Sequence, residues 1–388
     1  MNPGLLPPPR LPVLGWQSMV MRSRPPAIPA VTQEREAVFV SAGRAAIFLA
    51  LELLGVQRGD RVLVPTYHCP TMVAPVTELG AVPQFYPITR SASPDLDWLS
   101  AADLSCVRAM VAVHFFGVPQ PMGALKRFCS ERGIALIEDC AHAFFGRSGQ
   151  IPLGATGDLA IASLPKFFPV LEGGCLIGPR ALLARTHVSG RSMVEELRAA
   201  IDVIETGAQH GRFGSVGSVL NWLVSLKRRV RSARIEDSIE DAIDTPADRR
   251  AWLDENVLRR SATAITRWVT RHSEMQHLIE RRRANYALWS RLTKDSAQVE
   301  PLFPDLSDDT VPYVFPLKVR DAERKYQALR ATGVPVFRWD IAWPGVPDIP
   351  GDVGKGWLSE IFQLGCHQDL DTDDIMRLAP TVRAILEG

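Results

Sequence analysis

The stretch that decides the fold runs from residue 45 to residue 88 and reads AAIFLALELLGVQRGDRVLVPTYHCPTMVAPVTELGAVPQFYPI. It begins with an apolar helical pattern that ends near Gly55, and the short apolar run RVLVP follows at residues 61–65. A second helical pattern covers residues 70–80, and a second strand pattern covers residues 82–88. Short apolar strands that alternate with helices predict a parallel sheet covered by helices.

The same alternation continues as far as residue 178. It predicts a helix at residues 124–133 and four more strands, within residues 107–117, 134–140, 159–164 and 174–178. Strands that are buried on both faces are continuous apolar runs, as these are. The sequence therefore predicts an α/β domain with a mainly parallel sheet and helices on both of its faces.

The rest of the chain predicts three further parts. Residues 1–35 are rich in proline and predict an extended arm. A stretch rich in Arg, Glu, Ala and Leu predicts a helical insertion at about residues 190–260, and mixed strand and helix patterns follow Pro301. We therefore expect a large domain over residues 36–260 and a smaller C-terminal α+β domain over residues 261–388.

Composition and charge exclude several classes of protein. Of the 388 residues, 46% are hydrophobic, so the chain can build a sizeable core and is not disordered along most of its length. The 44 Lys and Arg residues nearly balance the 43 Asp and Glu residues, which gives a net charge of +1. Nucleic-acid binders usually carry a marked basic excess, so no nucleic-acid partner is expected.

The six cysteines are scattered and form neither a CxxC pair nor zinc-ligand spacing with histidine, so the sequence predicts no metal site. They are too few for a disulfide framework, which favours reduced thiols in the cytoplasm. The N-terminus has proline through its apolar part and lacks the pattern of a signal peptide. There is no apolar run of about 18 residues, so no membrane-spanning helix is expected.

Two segments at predicted strand ends carry candidate functional residues, because open α/β sheets bind ligands there. Ala42, Gly43 and Arg44 come just before a helix, whose N–H groups can bind a phosphate, although such a start is more often a plain cap. Asp139 and His142 follow the apolar strand IALI, where a carboxylate can contact a ligand. The plainer interpretation of Asp139 is a helix N-cap.

A third segment places Lys166 among aromatic and apolar residues between two buried strands, with Ser163 three residues earlier. Removal from water lowers the pKa of a lysine and makes its amine a better nucleophile, although an isolated loop lysine is usually only exposed. A lysine for a Schiff base, an aspartate for a pyridinium nitrogen and a phosphate cradle are together what pyridoxal phosphate (PLP) requires. The three segments in combination therefore predict a PLP site.

The sequence resembles the DegT/DnrJ/StrS aminotransferases, which are PLP enzymes of fold type I. The resemblance covers residues 36–178 and, more weakly, residues 278–388. Three stretches carry it: SAGRAAIFLALELLGVQRGDRVLVP (41–65), VHFFGVPQPMGALKRFCSERGIALIEDCAHAFFG (113–146) and GDLAIASLPKFFPVLEGG (157–174). The segment IEDCAHA followed by K(x)5EGG is the specific part. The resemblance implies a mainly parallel sheet of the seven-stranded type and a smaller C-terminal domain.

The resemblance also implies roles for single residues. Lys166 matches the Schiff-base lysine and Asp139 the partner of the pyridinium nitrogen. His142 stands where the family contacts the 3-hydroxyl side of the cofactor. The positions that match phosphate ligands are Ala42, Gly43 and Ser163. The dehydratase branch of the family carries histidine in place of the lysine, so Lys166 favours transamination.

The chain departs from the family pattern in three places. Cys69 stands where an aromatic side chain often stacks on the cofactor ring, which leaves Tyr67 or His68 as candidates for that role. Ser163 precedes Lys166 by three residues, whereas many members space the pair by five. The Asn-x-Arg segment that reaches a neighbouring subunit's cofactor has only a poor match, Asn256 and Arg259 in ENVLRRS.

Outside these segments the sequence offers weaker candidates. Arg338 can hold the carboxylate of an amino donor, or it can be a surface arginine beside packed tryptophans. His367 lies in the segment that faces the cleft in the family, and a lone histidine is more often structural. Residues 281–283 are three arginines, a run that is typical of the solvated face of a helix.

Residues 215–234 combine apolar positions with a basic end, and an acidic stretch follows at residues 235–244. The segment can lie on an anionic membrane or pack as a core-facing helix with a solvated end. The adjacent acids favour the second interpretation.

We therefore expect a cytoplasmic, homodimeric PLP-dependent aminotransferase that takes an amino group from an amino acid, glutamate by the resemblance. The acceptor is expected to be a keto-sugar or a related biosynthetic keto intermediate. One alternative is another PLP-dependent reaction on the same scaffold, namely elimination, decarboxylation or condensation. The other is a non-catalytic regulatory or membrane-associated member of the fold.

Overall fold

The computed structural model describes residues 8–19, 25–214, 255–294 and 296–388. Residues 215–244, with the basic and acidic stretches singled out in the sequence, therefore lie outside the described residues. The strands are β1 Glu36–Val40, β2 Arg61–Pro65, β3 Val82–Tyr86, β4 Val107–Val113, β5 Ala135–Asp139, β6 Arg147–Ser148, β7 Ile151–Pro152, β8 Leu159–Ser163, β9 Gly174–Gly178, β10 Val299–Pro301, β11 Val314–Val319, β12 Val336–Phe337 and β13 Ile361–Gly365.

Twelve α-helices lie in the described ranges. They are α1 Gly43–Leu53, α2 Pro70–Glu78, α3 Leu96–Ala101, α4 Met122–Glu131, α5 Arg180–Leu183, α6 Met193–Gln209, α7 Glu255–Leu258, α8 Ala264–His272, α9 Met275–Thr293, α10 Ala322–Ala331, α11 Gly354–Glu360 and α12 Thr372–Glu387.

The larger sheet has seven strands in the order β1-β9-β8-β5-β4-β2-β3. Four neighbouring pairs are parallel (β2–β3, β2–β4, β4–β5 and β5–β8), and the pairs β1–β9 and β8–β9 are antiparallel. The predicted mainly parallel α/β sheet is therefore confirmed. The five parallel strands β2, β3, β4, β5 and β8 end at Pro65, Tyr86, Val113, Asp139 and Ser163, so their carboxyl ends bring the segments that follow them to one edge of the sheet.

The smaller sheet is antiparallel, with the order β10-β11-β13-β12, and it carries a second hydrophobic core. Helix α9 belongs to both cores, because Leu278 and Ile279 pack in the first while Tyr286 and Trp289 pack in the second. A boundary at residue 260 between a large and a small domain stays a prediction.

The N-terminal residues pack on the C-terminal part of the chain. The Arg10 guanidinium donates to the carbonyl of Val336, and the Val13 N–H donates to the Asp369 carboxylate. Within the described ranges, no helix is both long enough and apolar enough to cross a membrane. All six cysteines are free thiols.

Candidate active site

Backbone hydrogen bonds join the loops that carry the predicted site residues. The Gly173 N–H donates to the Ser41 carbonyl over 2.7 Å, and the Leu164 N–H donates to the Gly173 carbonyl over 3.0 Å. A Cβ on Gly174 would lie only 2.5 Å from the carbonyl carbon and oxygen of Ala42. Only glycine therefore fits at position 174. Together, Gly173 and Gly174 hold the start of α1 against the turn that carries Lys166.

Lys166 ends the 3₁₀ turn Leu164–Lys166, which follows β8 directly. Its Nζ lies 5.3 Å from the centroid of the Tyr313 ring and 5.9 Å from that of Trp339. Burial lowers the pKa of the Lys166 amine, although the neighbouring Cys69 and Asp139 oppose this shift. The site therefore favours the unprotonated, nucleophilic form of this lysine more than water does.

Asp139 is the last residue of β5, the strand next to β8, and it is buried. Burial raises the pKa of its carboxyl, while the Ala141 N–H, Lys166 and His114 act in the opposite direction. The carboxylate oxygen Oδ1 accepts from the Ala141 N–H over 2.8 Å, and Oδ2 has no hydrogen-bond partner in the described part of the chain. A cationic N–H donor would satisfy both the charge and the open oxygen of this side chain.

His142 is a neutral, buried histidine between two aromatic rings. Its ring centroid lies 4.6 Å from that of Tyr313 and 4.8 Å from that of Trp339. Burial holds the pKa of His142 well below its usual value, and Lys166 adds to this effect. Because Nδ1 accepts from the Phe116 N–H over 3.3 Å, the proton of the neutral ring belongs on Nε2. Nε2 is buried and has no partner among the described residues.

The start of α1 has the donors that an anion needs. Ala42 is the N-cap, and no side chain of the described residues caps the helix there. Ser163 stands beside the start, because a Cβ on Gly43 would lie 3.4 Å from the Cβ of Ser163. The Nε of Arg44, in the same turn, is buried and makes no hydrogen bond to the described residues. Burial lowers the pKa of Arg44, and Cys69 opposes that shift.

The segment after β2 carries the three predicted residues Tyr67, His68 and Cys69, and their side chains have different surroundings. The Tyr67 ring lies 5.0 Å from Trp339 and 5.3 Å from Phe115, and its hydroxyl accepts from Gln363 over 3.2 Å. Cys69 is the N-cap of α2 and interacts electrostatically with Lys166. The His68 ring instead packs on Phe85, 5.2 Å away.

Both ring nitrogens of His68 make hydrogen bonds to backbone groups. Its Nδ1 lies 3.1 Å from the Pro65 carbonyl and 3.0 Å from that of Thr66, and its Nε2 accepts from the Trp343 N–H over 2.9 Å. Burial lowers the pKa of His68 to about 4. The structure therefore does not bring this ring to Lys166.

Three other candidates have partners elsewhere. Arg338 is buried and forms ion pairs with Glu323 and, at 2.9 Å, with Asp340. The His367 Nε2 lies 3.0 Å from the carbonyl of Pro9. Arg259 pairs with the Glu52 carboxylate on α1. A substrate role for Arg338 or His367 therefore has no support in this geometry.

Two important side chains were not assigned to this site from the sequence. Trp339 is one of the tryptophans that follow Arg338 in the sequence, and its ring contacts Tyr67, His142 and Lys166. Arg282 was interpreted as part of a solvated arginine run, and this was wrong because the side chain is fully buried. Helical spacing is a signal that could have found it, since Leu278, Arg282 and Trp289 share one face of α9.

Behind Asp139, the structure brings His114, Glu138 and Cys140 together, which is a combination that can hold a metal ion. The Glu138 carboxylate already accepts from the His114 ring at 3.0 Å and from N–H groups of Gly154 and Gly157 at 2.8 and 3.0 Å. The second ring nitrogen of His114 accepts from the Gln120 N–H. Burial alone would raise the pKa of Glu138, but these partners hold it below its usual value. The cluster is therefore a filled hydrogen-bond network that supports the segment after β5.

Comparison with known proteins adds to this geometry. The model of the DegT/DnrJ/EryC1/StrS aminotransferase family matches residues 27–186. The chain is 32% identical over 146 residues to the GDP-perosamine synthase of Vibrio cholerae, covering 37% of this chain and 40% of that protein. It is 32% identical over 182 residues to the L-glutamine:2-deoxy-scyllo-inosose aminotransferase of Streptomyces fradiae, covering 44% of this chain and 42% of that protein. Each match thus spans about two fifths of the length of the curated relative.

Solved structures share the fold over most of the chain. The aminotransferase TlmJ from Streptoalloteichus hindustanus has a TM-score of 0.61 at 20% identity, covering 90% of this chain and 85% of that one. The PLP form of the putative sugar aminotransferase Spr1654 from Streptococcus pneumoniae has a TM-score of 0.61 at 17% identity, covering 92% and 88%. At sequence identities of 17–20%, this structural similarity shows the fold of the chain and nothing further.

Proposed function

Because residues 27–186 match the model of the DegT/DnrJ/EryC1/StrS aminotransferase family, we propose that this chain is a PLP-dependent aminotransferase of that family. The reaction moves an amino group from an amino-acid donor to a keto-sugar or a related biosynthetic keto intermediate. The observation that carries the proposal is the placement of the buried Asp139 at the end of β5 and of Lys166 in the turn that follows the neighbouring strand β8.

The described residues fit PLP at three points. Asp139 is a buried carboxylate with a raised pKa, so a pyridinium N–H would supply the cation and the donor that it lacks. The buried Nε2–H of His142 can donate to the phenolic oxygen of the cofactor. The start of α1, with Arg44 and Ser163 beside it, can hold the phosphate.

When bound, the cofactor supplies an electron sink for the substrate's amino carbon. Lys166 would hold it through Nζ, and an unprotonated Nζ with a lowered pKa could accept a proton from the substrate and return it. Asp139 would hold the ring nitrogen, and a pyridinium N–H there would favour the charged form of its carboxyl against the effect of burial. The rings of Tyr313 and Trp339 lie beside Nζ, with Tyr67 packed on Trp339, and these apolar faces would limit the access of water.

The donor and the acceptor are proposed from the relatives. The names GDP-perosamine synthase and L-glutamine:2-deoxy-scyllo-inosose aminotransferase support a sugar or sugar-like acceptor. Because the second name contains L-glutamine, glutamine is a second donor to test besides glutamate. The free thiols of all six cysteines support a reducing compartment such as the cytoplasm.

A homodimer is part of the same proposal. Exposed apolar side chains on α6 support a subunit contact, since Met193, Val194 and Leu197 are 83%, 57% and 63% exposed. Analytical ultracentrifugation of the full chain should give twice the monomer mass. The double substitution Met193→Lys and Leu197→Lys should shift it toward the monomer mass, whereas a monomeric wild type would refute this part of the proposal.

The experiment that tests the reaction is a single-turnover assay. The purified protein is loaded with PLP, mixed with excess glutamate or glutamine, and analysed for pyridoxamine phosphate and for the keto acid. The proposal expects both products in equal amounts with at least one of these donors. If PLP binds but neither donor produces pyridoxamine phosphate, the transamination proposal fails and another PLP reaction takes its place.

A further inference from the structure

Arg282 is an unusual arginine because it is fully buried and makes no hydrogen bond or ion pair with a carboxylate in the described residues. Its guanidinium donates to four uncharged oxygen atoms and stacks on the Phe167 ring at 4.4 Å. Burial lowers the pKa of Arg282 to about 10, so the group is still charged at neutral pH. Asp369 interacts with this charge only electrostatically. A buried charge that donates all of its hydrogen bonds to uncharged oxygens is costly, so the choice of these four acceptors needs a specific explanation.

The partners of Arg282 surround Lys166. One guanidinium nitrogen donates to the carbonyl of Lys166 itself over 2.7 Å. Another donates to the carbonyls of Pro312 and Tyr313, each over 3.2 Å, and Tyr313 is the residue whose ring faces the Lys166 Nζ. A single side chain therefore fixes both the backbone of the lysine and the backbone of the ring beside its amine.

Gln368 completes this arrangement. Its side-chain oxygen accepts from the Arg282 Nε over 3.0 Å, and its amide nitrogen donates to the carbonyl of Phe167 over 2.9 Å. The hydrogen-bonded pair of Arg282 and Gln368 thus holds the consecutive carbonyls of Lys166 and Phe167. We call residues 164–167 the lysine turn. Arg282 lies on α9 and Gln368 follows β13, so both belong to the C-terminal part of the chain, whereas the lysine turn belongs to the large sheet.

We propose that Arg282 is the positioning residue for Lys166, and that with Gln368 it couples the placement of the lysine amine to the packing of the C-terminal part on the large sheet. This inference rests on the proposed function in taking Lys166 as the reactive amine. A lysine side chain reaches its target through four rotatable bonds, so its backbone must be fixed for the amine to be fixed. A misplacement of about 1 Å can cost on the order of 100-fold in rate.

The test compares four full-length variants with the wild type. Arg282→Met removes the guanidinium donors at similar length, and Arg282→Lys keeps the charge without the planar fork. Arg281→Met is the matched control, because the neighbouring Arg281 in the same run donates to the Leu370 carbonyl and does not contact the lysine turn. Gln368→Leu is the second route to the same defect, for use if Arg282→Met does not fold.

The first readout needs no cofactor. Labelling with an amine-reactive acetylating reagent across a pH series, read by mass spectrometry on the Lys166 peptide, gives the apparent pKa and reactivity of this amine. We expect Arg282→Met or Gln368→Leu to shift that pH profile and to change the reactivity several-fold, with Arg282→Lys between them and the wild type. Arg281→Met should match the wild type. A profile unchanged in folded Arg282→Met or Gln368→Leu would overturn the inference.

The second readout is the enzyme loaded with PLP. We expect the Arg282→Met variant to lose about 100-fold in kcat with a small change in KM, because the buried Arg282 side chain is not accessible to the donor. A lowered melting temperature with unchanged kcat and an unchanged labelling profile would show that Arg282 only stabilises the fold. If the wild type binds no PLP, the proposed function fails, and the labelling profile still decides the positioning role.

Discussion

Gly174→Ala is the substitution that tests most strictly how the start of α1 is held against the lysine turn. The new Cβ would lie 2.5 Å from the carbonyl carbon and oxygen of Ala42 and 2.7 Å from the Gly43 nitrogen. Real Cβ contacts are essentially never shorter than 3.0 Å, so one of the two backbones must move by about 0.5 Å. All three atoms are backbone, so no flexible side chain can relieve the overlap.

We expect Gly174→Ala to lower the free energy of unfolding by about 1–3 kcal/mol, the usual cost of overpacking. We also expect weaker PLP binding, because Ala42 and Gly43 begin the helix that holds the phosphate. The control is Gly356→Ala, where a new Cβ meets nothing within 4 Å. Urea unfolding gives the stability, and fluorescence titration with PLP gives the affinity. A Gly174→Ala variant with wild-type stability and affinity would refute the reasoning.

Three further predictions concern neighbouring groups. Asp139→Asn removes the charge beside the ring nitrogen, so kcat should fall by about 100-fold or more while PLP still binds; a wild-type kcat would contradict this role. In Glu138→Gln, at least two N–H donors face an amide nitrogen instead of a carboxylate oxygen. The substitution should lower the free energy of unfolding, measured with urea, by about 3 kcal/mol. Because the folded pKa of Glu138 is lowered, this loss should be complete above about pH 4.3 and shrink as the pH falls through the folded pKa; a pH-independent loss would contradict it. Trp339→Ala should weaken PLP binding several-fold by titration, whereas Trp268→Ala, at an exposed position, should not; equal affinities would exclude Trp339 from the cofactor wall.

The large sheet could be predicted because its buried strands are continuous apolar runs separated by helices. The strand β1 was missed because EAVFV is mostly only half-buried and lies at the edge of the sheet, where it pairs antiparallel with β9. Of the smaller sheet, β10 and β13 were also missed. Short antiparallel strands depend on their partners more than on a local pattern.

The core of the site could be predicted for a related reason. Lys166 and Asp139 follow strands directly, so the topology of the sheet alone brings them to one edge. Trp339 and Arg282 reach the same place from the C-terminal part of the chain, through packing that no local pattern specifies. Arg338 and His367 show the reverse, since each has a partner near its own element or in the N-terminal arm.

The central claim is that Lys166 holds the cofactor, and borohydride trapping tests it most directly. The full-length protein is loaded with PLP, reduced with borohydride, digested and analysed by mass spectrometry, in parallel with Lys166→Ala. We expect a visible absorption band before reduction and a reduced-cofactor adduct on the peptide that contains Lys166, with both absent from the variant. An adduct on another lysine, or a band that persists in folded Lys166→Ala, would contradict it.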